Sequence, residues 1–366
     1  MKFGICVGAK IDDIDYIALA DRLGYQSAWV ADSQMIWSDC YAALALAAER
    51  TSRIQLGTGV AIAGTRIAPV TAHSIATINR LAPGRAFLAL GTGHTAMRVM
   101  GQQPMKLGDF RRYARTVRAL LDGDNTPYTY AERTHDIRFI HQTQGYIELQ
   151  PRIPMVIAGS GPGTQRFAGS FADGLVTGGA TRPEVCRAYV DNVREGAEKA
   201  GRQLPADFSV STLSAGIVLD EGESLASERA VRETGSQVMA MLHGLWERVP
   251  EPKRDLANVP AHVHDVWEAY CDFVDAMETP PERRYQQIHL GHCSFLVEEE
   301  ARFVTPNGIR AAGLAGTPEE IVAHLRELEA AGLTQVLLLP PTEHAPKVLT
   351  DFATRVFPLL GVPAAA

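Results

Sequence analysis

Ile54-Gln-Leu-Gly-Thr-Gly-Val-Ala61 and Gly84-Arg-Ala-Phe-Leu-Ala-Leu-Gly-Thr-Gly-His94 carry one pattern twice, an apolar strand that runs into Gly-Thr-Gly. A glycine-rich turn at the C-terminal end of a buried strand lets backbone and ligand come close, so two such turns point to one ligand-binding rim. Working outward, continuous apolar runs without in-out alternation predict strands at Phe3–Gly8, Ser27–Ala31, Ile54–Val60, Ala86–Leu90, Met155–Ala158, Gly174–Thr177, Ser209–Val218 and Gln335–Leu339. Such runs belong to strands covered on both faces, hence to a parallel sheet. Amphipathic helices alternate with them at Ile14–Leu23, Cys40–Arg50, Pro69–Leu81, Phe110–Leu121, Thr164–Phe171, Pro183–Ala200 and Pro318–Ala331. Pro69, Pro183 and Pro318 suit a first helical turn, and Gly24, Gly201 and Gly332 fall where helices stop. This order predicts an α/β fold, a closed (β/α)8 TIM barrel rather than an open sheet.

Two segments break the rhythm. Residues 124–153 hold Tyr128, Tyr130, Ile137, Phe139, Tyr146 and Ile147 in short alternating runs and read as a hairpin inserted before strand five. Residues 240–316, rich in His and Pro, form a long insertion after strand seven, expected to cover the barrel mouth as a lid. The 366 residues exceed a usual domain. Barrels, however, commonly take about 250 residues plus insertions, which favours a single domain over 1–360 with a flexible tail, 361–366.

Composition narrows the function classes. Thirty-five Lys plus Arg against 42 Asp plus Glu give a net charge of −7, without the cationic face that phosphate-backbone binding needs, so nucleic acid is not an expected partner. No apolar run reaches the roughly 18 residues of a membrane span. The opening Met1–Gly8 reads as a first strand, not a signal segment. Cys6, Cys40, Cys186, Cys271 and Cys293 are odd in number and lack C-x-x-C spacing, which suggests free thiols in a reducing cytoplasm.

Ala158-Gly-Ser-Gly-Pro-Gly-Thr164 is a strand end opening into a helix. Exposed backbone N–H groups, the hydroxyls of Ser160 and Thr164 and the helix dipole make an anion site there, a phosphate cradle without a lysine. A turn that merely joins strand to helix is the alternative. A resident nicotinamide is not expected, because no G-x-G-x-x-G follows the first strand. His289-Leu-Gly-His-Cys293 and His262-Val-His264 lack a zinc spacing, so no metal is expected. His289 and His292 are read as lid residues near a substrate, with solvent-facing loop histidines as the alternative.

Four stretches together resemble the bacterial-luciferase-like flavin and deazaflavin (F420) oxidoreductases, including the methylenetetrahydromethanopterin reductase branch: Ala28-Trp-Val-Ala-Asp32, Leu56-Gly-Thr-Gly-Val60, Gly84 through Gly93, and Val156-Ile-Ala-Gly-Ser-Gly-Pro162. The closing Gly316-Thr-Pro-Glu-Glu-Ile321 with Ala331-Gly-Leu-Thr-Gln335 agrees. The resemblance implies a non-prolyl cis peptide at Gly59-Val60; an ordinary trans turn is the alternative. It further implies a cofactor ring against Thr58, Gly59 and Val60, its phosphate on Gly159, Ser160, Gly161 and Thr164, and a reaction side formed by Asp32, Ser33, Gly91 and His94.

Two positions depart from the family's pattern. Where many relatives have histidine after the acidic residue, this chain has Ser33, a poor general base near neutrality. Where several F420-dependent relatives have glutamate, it has His94, an imidazole that titrates near neutrality. Asp32 is either a reaction-side carboxylate or the cap of the following turn. The sequence therefore ranks a monooxygenase using reduced FMN, oxygen and a separate flavin reductase first, with an F420-dependent hydride-transfer enzyme next and a non-catalytic flavin-binding barrel third. The substrate would be a small organic molecule, and relatives suggest a homodimer.

Overall fold

The computed structural model describes residues 1–179, 181–250 and 253–362. The chain divides into two compact units, the first Met1–Gly178, Glu184–Thr212 and Ala331–Leu337, the second Gly179–Pro183, Leu213–Ala330 and Leu338–Ala366. Its strands are β1 (Lys2–Val7), β2 (Ser27–Val30), β3 (Gln55–Thr58), β4 (Ala61–Ile62), β5 (Ala86–Gly91), β6 (Thr126–Tyr130), β7 (Arg133–Ile137), β8 (Met155–Ala158), β9 (Gly174–Gly178), β10 (Ser209–Val218), β11 (Gly313–Gly316) and β12 (Gln335–Leu338).

The first unit holds the (β/α)8 barrel. Strands β1, β2, β3, β5, β8 and β9 pair in that order and in parallel, β10 follows β9, and β12 lies between β10 and β1. Backbone bonds across the seam close it: Ser209 N to Asp173 O at 3.3 Å, Thr334 N to Val210 O at 2.9 Å and Lys2 N to Thr334 O at 2.9 Å. Side chains cross the same seam in a buried chain, Ser211 Oγ donating to Gln335 Oε1 at 3.0 Å and Gln335 Nε2 to Ser27 Oγ at 2.7 Å. Strand β2 is buried along its whole length and β1 from Phe3 onward, which is why their sequences show no alternation.

The helices fall where the sequence predicts them, at Asp15–Arg22, Cys40–Arg50, Ala68–Leu81, Leu107–Leu121, Pro162–Phe171 and Pro183–Lys199. Asp39 caps the second of these, accepting from the N–H groups of Tyr41 and Ala42 at 2.9 and 3.0 Å. The last two touch backbone to backbone, because a Cβ at Gly169 would overlap the Val193 carbonyl and one at Gly196 the Arg166 carbonyl. The inserted hairpin is β6 and β7, antiparallel, turning at Ala131 and Glu132 with φ of 47° and 66°. Positive φ at both central residues is the turn that suits the twist of paired strands.

In the second unit the far half of β10 pairs in parallel with β11, Ala215 opposite Gly313 through Val218 opposite Gly316. Around them stand the helices Glu228–Arg248, Trp267–Asp275, Arg284–Ile288, Pro306–Ala312 and Pro318–Ala330. Trp267, Tyr270, Leu242, Phe303 and Ile309 fill its core. The segment read as a long insertion over 240–316 is largely helical; its long helix already starts at Glu228, capped by the Ser227 hydroxyl, and it ends in a strand. Of the tail 361–366, Gly361 and Val362 cap the last helical turn, Gly361 N donating to Pro358 O at 3.2 Å, and 363–366 lie outside the described residues. Among those described, no helix is long and apolar enough to cross a membrane.

Candidate active site

The site grows from the ends of β2, β3, β5 and β8. At the end of β3 the Thr58 hydroxyl donates to Ala89 O at 2.7 Å and accepts from Ala89 N at 3.1 Å, so it locks β3 to β5 rather than facing outward. The next peptide, Gly59-Val60, is cis, as the resemblance implies. Gly59 N donates to Val30 O at 2.6 Å, and a Cβ at Gly59 would come within 2.7 Å of Trp29 Cβ. Beyond the bulge, β4 returns to pair with β5, Ala61 opposite Leu90 and Ile62 opposite Gly91. A Cβ at Gly91 would lie 2.7 Å from Val60 Cγ2 and 3.5 Å from Ala158 Cβ. Val60, Gly91 and Ala158, from the ends of three successive barrel strands, therefore lie side by side as one apolar ledge.

Asp32 is buried behind this bulge. Its carboxylate accepts from Arg66 Nη1 at 2.7 and 2.8 Å, from Ile62 N at 3.1 Å and from Gln34 Nε2 at 2.5 Å. With its oxygens so engaged, Asp32 ties the end of β2 to β4. Arg66 also reaches Asp39 Oδ2 at 2.7 Å and lies over the Tyr41 ring, 4.9 Å from its centroid. Burial opposes the Arg66 charge, yet hydrogen bonding and attraction from Asp32 hold its pKa above the ordinary value. Burial raises the Cys40 thiol and the Tyr41 phenol and pushes the Tyr113 phenol up to about 12. Ser33 is buried, its carbonyl accepting from Ile36 N and Trp37 N at 3.0 Å. His94 is exposed on the short helix His94–Arg98, after Gly93 at φ 81°. Ser33 and His94 thus differ sharply in solvent access.

The glycine-rich loop read as a phosphate cradle follows β8. Gly159 N donates to Val176 O at 3.0 Å, and a Cβ there would overlap Thr164, so glycine keeps the loop tight. Gly161 is the N-cap of Pro162–Phe171, a helix whose start carries no side-chain cap. Pro162 has no N–H, and Thr164 N and Gln165 N both donate to Gly161 O at 3.1 Å, which leaves Gly163 N as the N–H of the first turn that faces an anion site. Two further residues, invisible to motif reading, shape this end. Gln165 is 1% exposed, donates to Ser160 O at 2.9 Å and accepts from Asn192 Nδ2 at 2.9 Å, which fixes the loop from below. Arg111 donates from Nη2 to Gly163 O at 3.2 Å and lies over the Phe167 ring at 5.5 Å, while its Nε is buried without a hydrogen-bond partner. Both come from helical faces where their spacing looks like ordinary packing.

His289 and His292 belong to the second unit, in a polar cluster within its helical core. His289 Nε2 meets Glu247 Oε1 at 2.9 Å, and His243 Nε2 meets Glu300 Oε1 at 2.9 Å. The His289 and His292 rings make an edge contact at 5.2 Å. Burial, with His289 and His243 alongside, pushes the His292 imidazole down to about 3. His289 is 5% exposed, so it is not a solvent-facing loop residue. Among the described residues no group of three or more His, Cys, Asp or Glu is arranged to hold a metal ion.

The sequence model of the luciferase-like monooxygenase family matches residues 8–335, from the end of β1 into β12. The chain belongs to that family. Within it, a 5,10-methylenetetrahydromethanopterin reductase of Methanolobus tindarius is 26% identical over 340 residues, 89% of each chain. An F420-dependent glucose-6-phosphate dehydrogenase of Beutenbergia cavernae is 32% identical over 344 residues, 88% of this chain and 95% of that one. Among solved structures, the coenzyme F420 dependent tetrahydromethanopterin reductase of Methanopyrus kandleri superposes with a TM-score of 0.69 at 22% identity, over 98% of this chain and 99% of that one. That likeness carries the luciferase-like barrel fold. The family relatives are oxidoreductases, and an oxidoreductase is what this chain is similar to.

Proposed function

We propose that this protein is an F420-dependent oxidoreductase that transfers a hydride to or from a small organic substrate. The observation that carries the reading is the pairing, in one unit, of the Val60-Gly91-Ala158 ledge with the uncapped helix start at Gly161 beside the unpartnered Nε of Arg111. A flat tricyclic ring fits an apolar ledge, and a phosphate fits a helix N-terminus backed by a guanidinium. The cofactor would supply two-electron hydride chemistry, while the protein positions it and excludes water. Gly59 and Val60 would support the ring while Thr58 braces them from behind by locking β3 to β5, and Gly159, Ser160, Gly161 and Thr164 would hold the phosphate, with Arg111 added. Asp32 would fix the bulge through Arg66, leaving Ser33 and His94 to orient the reacting group and handle its proton. The choice of F420 is supported by the names of relatives that match across about nine-tenths of the chain.

A second reading, monooxygenation with reduced FMN supplied by a partner reductase, is favoured by Ser33 and His94 standing where F420-dependent relatives carry histidine and glutamate. Absorbance titration with F420 and with FMN, in both oxidation states, separates the two. We expect saturable binding of F420 and none of FMN; tight FMN binding with oxygen uptake would replace the first reading by the second. Saturable binding without turnover on a broad panel of alcohols, aldehydes and enones would leave a binding barrel. Gly159→Asp should abolish binding, and an unchanged dissociation constant would remove the phosphate assignment. The proposed assembly is a homodimer, read directly by light scattering.

A further inference from the structure

The inserted hairpin of β6 and β7 forms a two-stranded sheet of its own, so closing the barrel gives it no role. Its first strand, the helix Leu107–Leu121 and the loop Ala63–Ala68 after β4 line a cavity of about 600 Å³, all within the first unit. That volume is in the range of small-molecule sites. Two phenol rings belong to the lining. Tyr128 is half-buried and stacks on Tyr130, with ring centroids 6.4 Å apart and an interplanar angle of 14°. Tyr113 is anchored by its hydroxyl, 2.5 Å from Thr71 Oγ1. Ile67, Met105 and Pro127 add apolar surface.

Three guanidiniums line the same space, and two of them are committed elsewhere. Arg66 is held by Asp32 and Asp39, and Arg112 pairs with Asp109, the carboxylate of the lining. Arg115 makes no hydrogen bond or ion pair among the described residues; its guanidinium lies 6.0 Å from the centroid of the Phe167 ring. One cation therefore remains for a ligand, beside an aromatic and apolar wall. A carboxylate satisfies a guanidinium through two parallel N–H···O bonds, and a planar ring packs well against a phenol. Asp109 does not oppose such a ligand, because Arg112 already neutralises it.

We propose that this cavity is a second ligand site, which takes a planar aromatic acid with its ring against Tyr128 and Pro127 and its carboxylate on Arg115. None of these residues is among those proposed to hold the cofactor, and the site requires no cofactor to be bound. The hairpin, which the barrel does not need for its closure, becomes one wall of a binding site.

The test is isothermal titration calorimetry of the full-length protein with cinnamate, at ionic strength held constant by chloride. Saturable binding with a dissociation constant below about 1 mM is expected. Two analogues separate the features of the probe: cinnamyl alcohol keeps the ring without the acid, and cyclohexanecarboxylate keeps the acid without the aromatic ring. Each should bind about tenfold more weakly, or less. Arg115→Gln and Tyr128→Leu should each weaken cinnamate by about tenfold or more. Arg115 is exposed, so its replacement leaves the fold intact. Arg133→Gln, on the other strand of the hairpin and outside the lining, should change nothing. Cinnamate bound at the barrel mouth instead would be indifferent to these variants. Unsaturable heats, equal affinity for cinnamyl alcohol, or wild-type affinity in either Arg115→Gln or Tyr128→Leu overturns the proposal.

Discussion

Asp32 shows how far a residue's role depends on what reaches it in space. The sequence reads it as a carboxylate at the end of strand two; in the structure its lone pairs are taken by Arg66, Ile62 and Gln34. Arg66 lies 34 residues away and stands in no motif with Asp32, so nothing in the local pattern announces the pair. Arg66→Met should leave a buried, uncompensated carboxylate and cost about 3–5 kcal/mol. Urea unfolding checks this, and a loss below about 1 kcal/mol would show that water enters to solvate Asp32. His292 gives a second prediction. Its pKa is near 3 in the folded protein and about 6.5 in an unfolded chain. Between those values the unfolded state binds the additional proton, so stability falls as pH drops from about 6.5 toward 3, by up to roughly 1.4 kcal/mol per unit for this group. His292→Gln should flatten the dependence of the urea midpoint on pH in that window; an unaltered slope would assign it to other groups.

Elements were legible where punctuation and pattern agree. The eight barrel strands and the helices that begin at or beside Pro69, Pro183 and Pro318 fall within a few residues of their expected bounds, because apolar runs bounded by Gly and Pro leave little choice. Strand β11 was hidden, since Gly313-Leu-Ala-Gly316 contains no β-branched residue and two glycines. Its first glycine is required by contact, because a Cβ at Gly313 would overlap the Ala215 backbone. The glycine contact between Pro162–Phe171 and Pro183–Lys199 is likewise beyond motif reading, though it fixes the approach of the helix that starts after Gly161. Gly196→Ala should therefore do two things at once. It should destabilise the fold by about 1–3 kcal/mol through overpacking, and it should weaken cofactor binding by displacing the helix start at Gly161. Thermal unfolding and an F420 titration read the two effects; lost stability with unchanged affinity would show that the loop, rather than the helix, sets the phosphate geometry.

At the scale of the molecule, β10 runs from the first unit into the second and β12 does the same over its last residue. Because the chain of one strand continues from one unit into the other, unfolding should be a single cooperative event. Hydrogen-exchange mass spectrometry in increasing urea should show β8 and β9 and the helix Glu228–Arg248 losing protection together, whereas two separated steps would make the units independent. The barrel's closure was readable from strand count alone. The helical build of 240–316 was not, since its amphipathic stretches are short and broken by Pro260, Pro280, Pro281 and Pro306. The seam has a consequence for the chain as it is made. The bond from Gln335 to Ser27 joins residues 308 positions apart, so at about 5–20 residues per second the ribosome needs roughly 15–60 s to deliver the partner of β1. During that interval β1 offers a bare edge that is apolar from Phe3 onward, and a chaperone that shields the first thirty residues should raise the yield of folded protein.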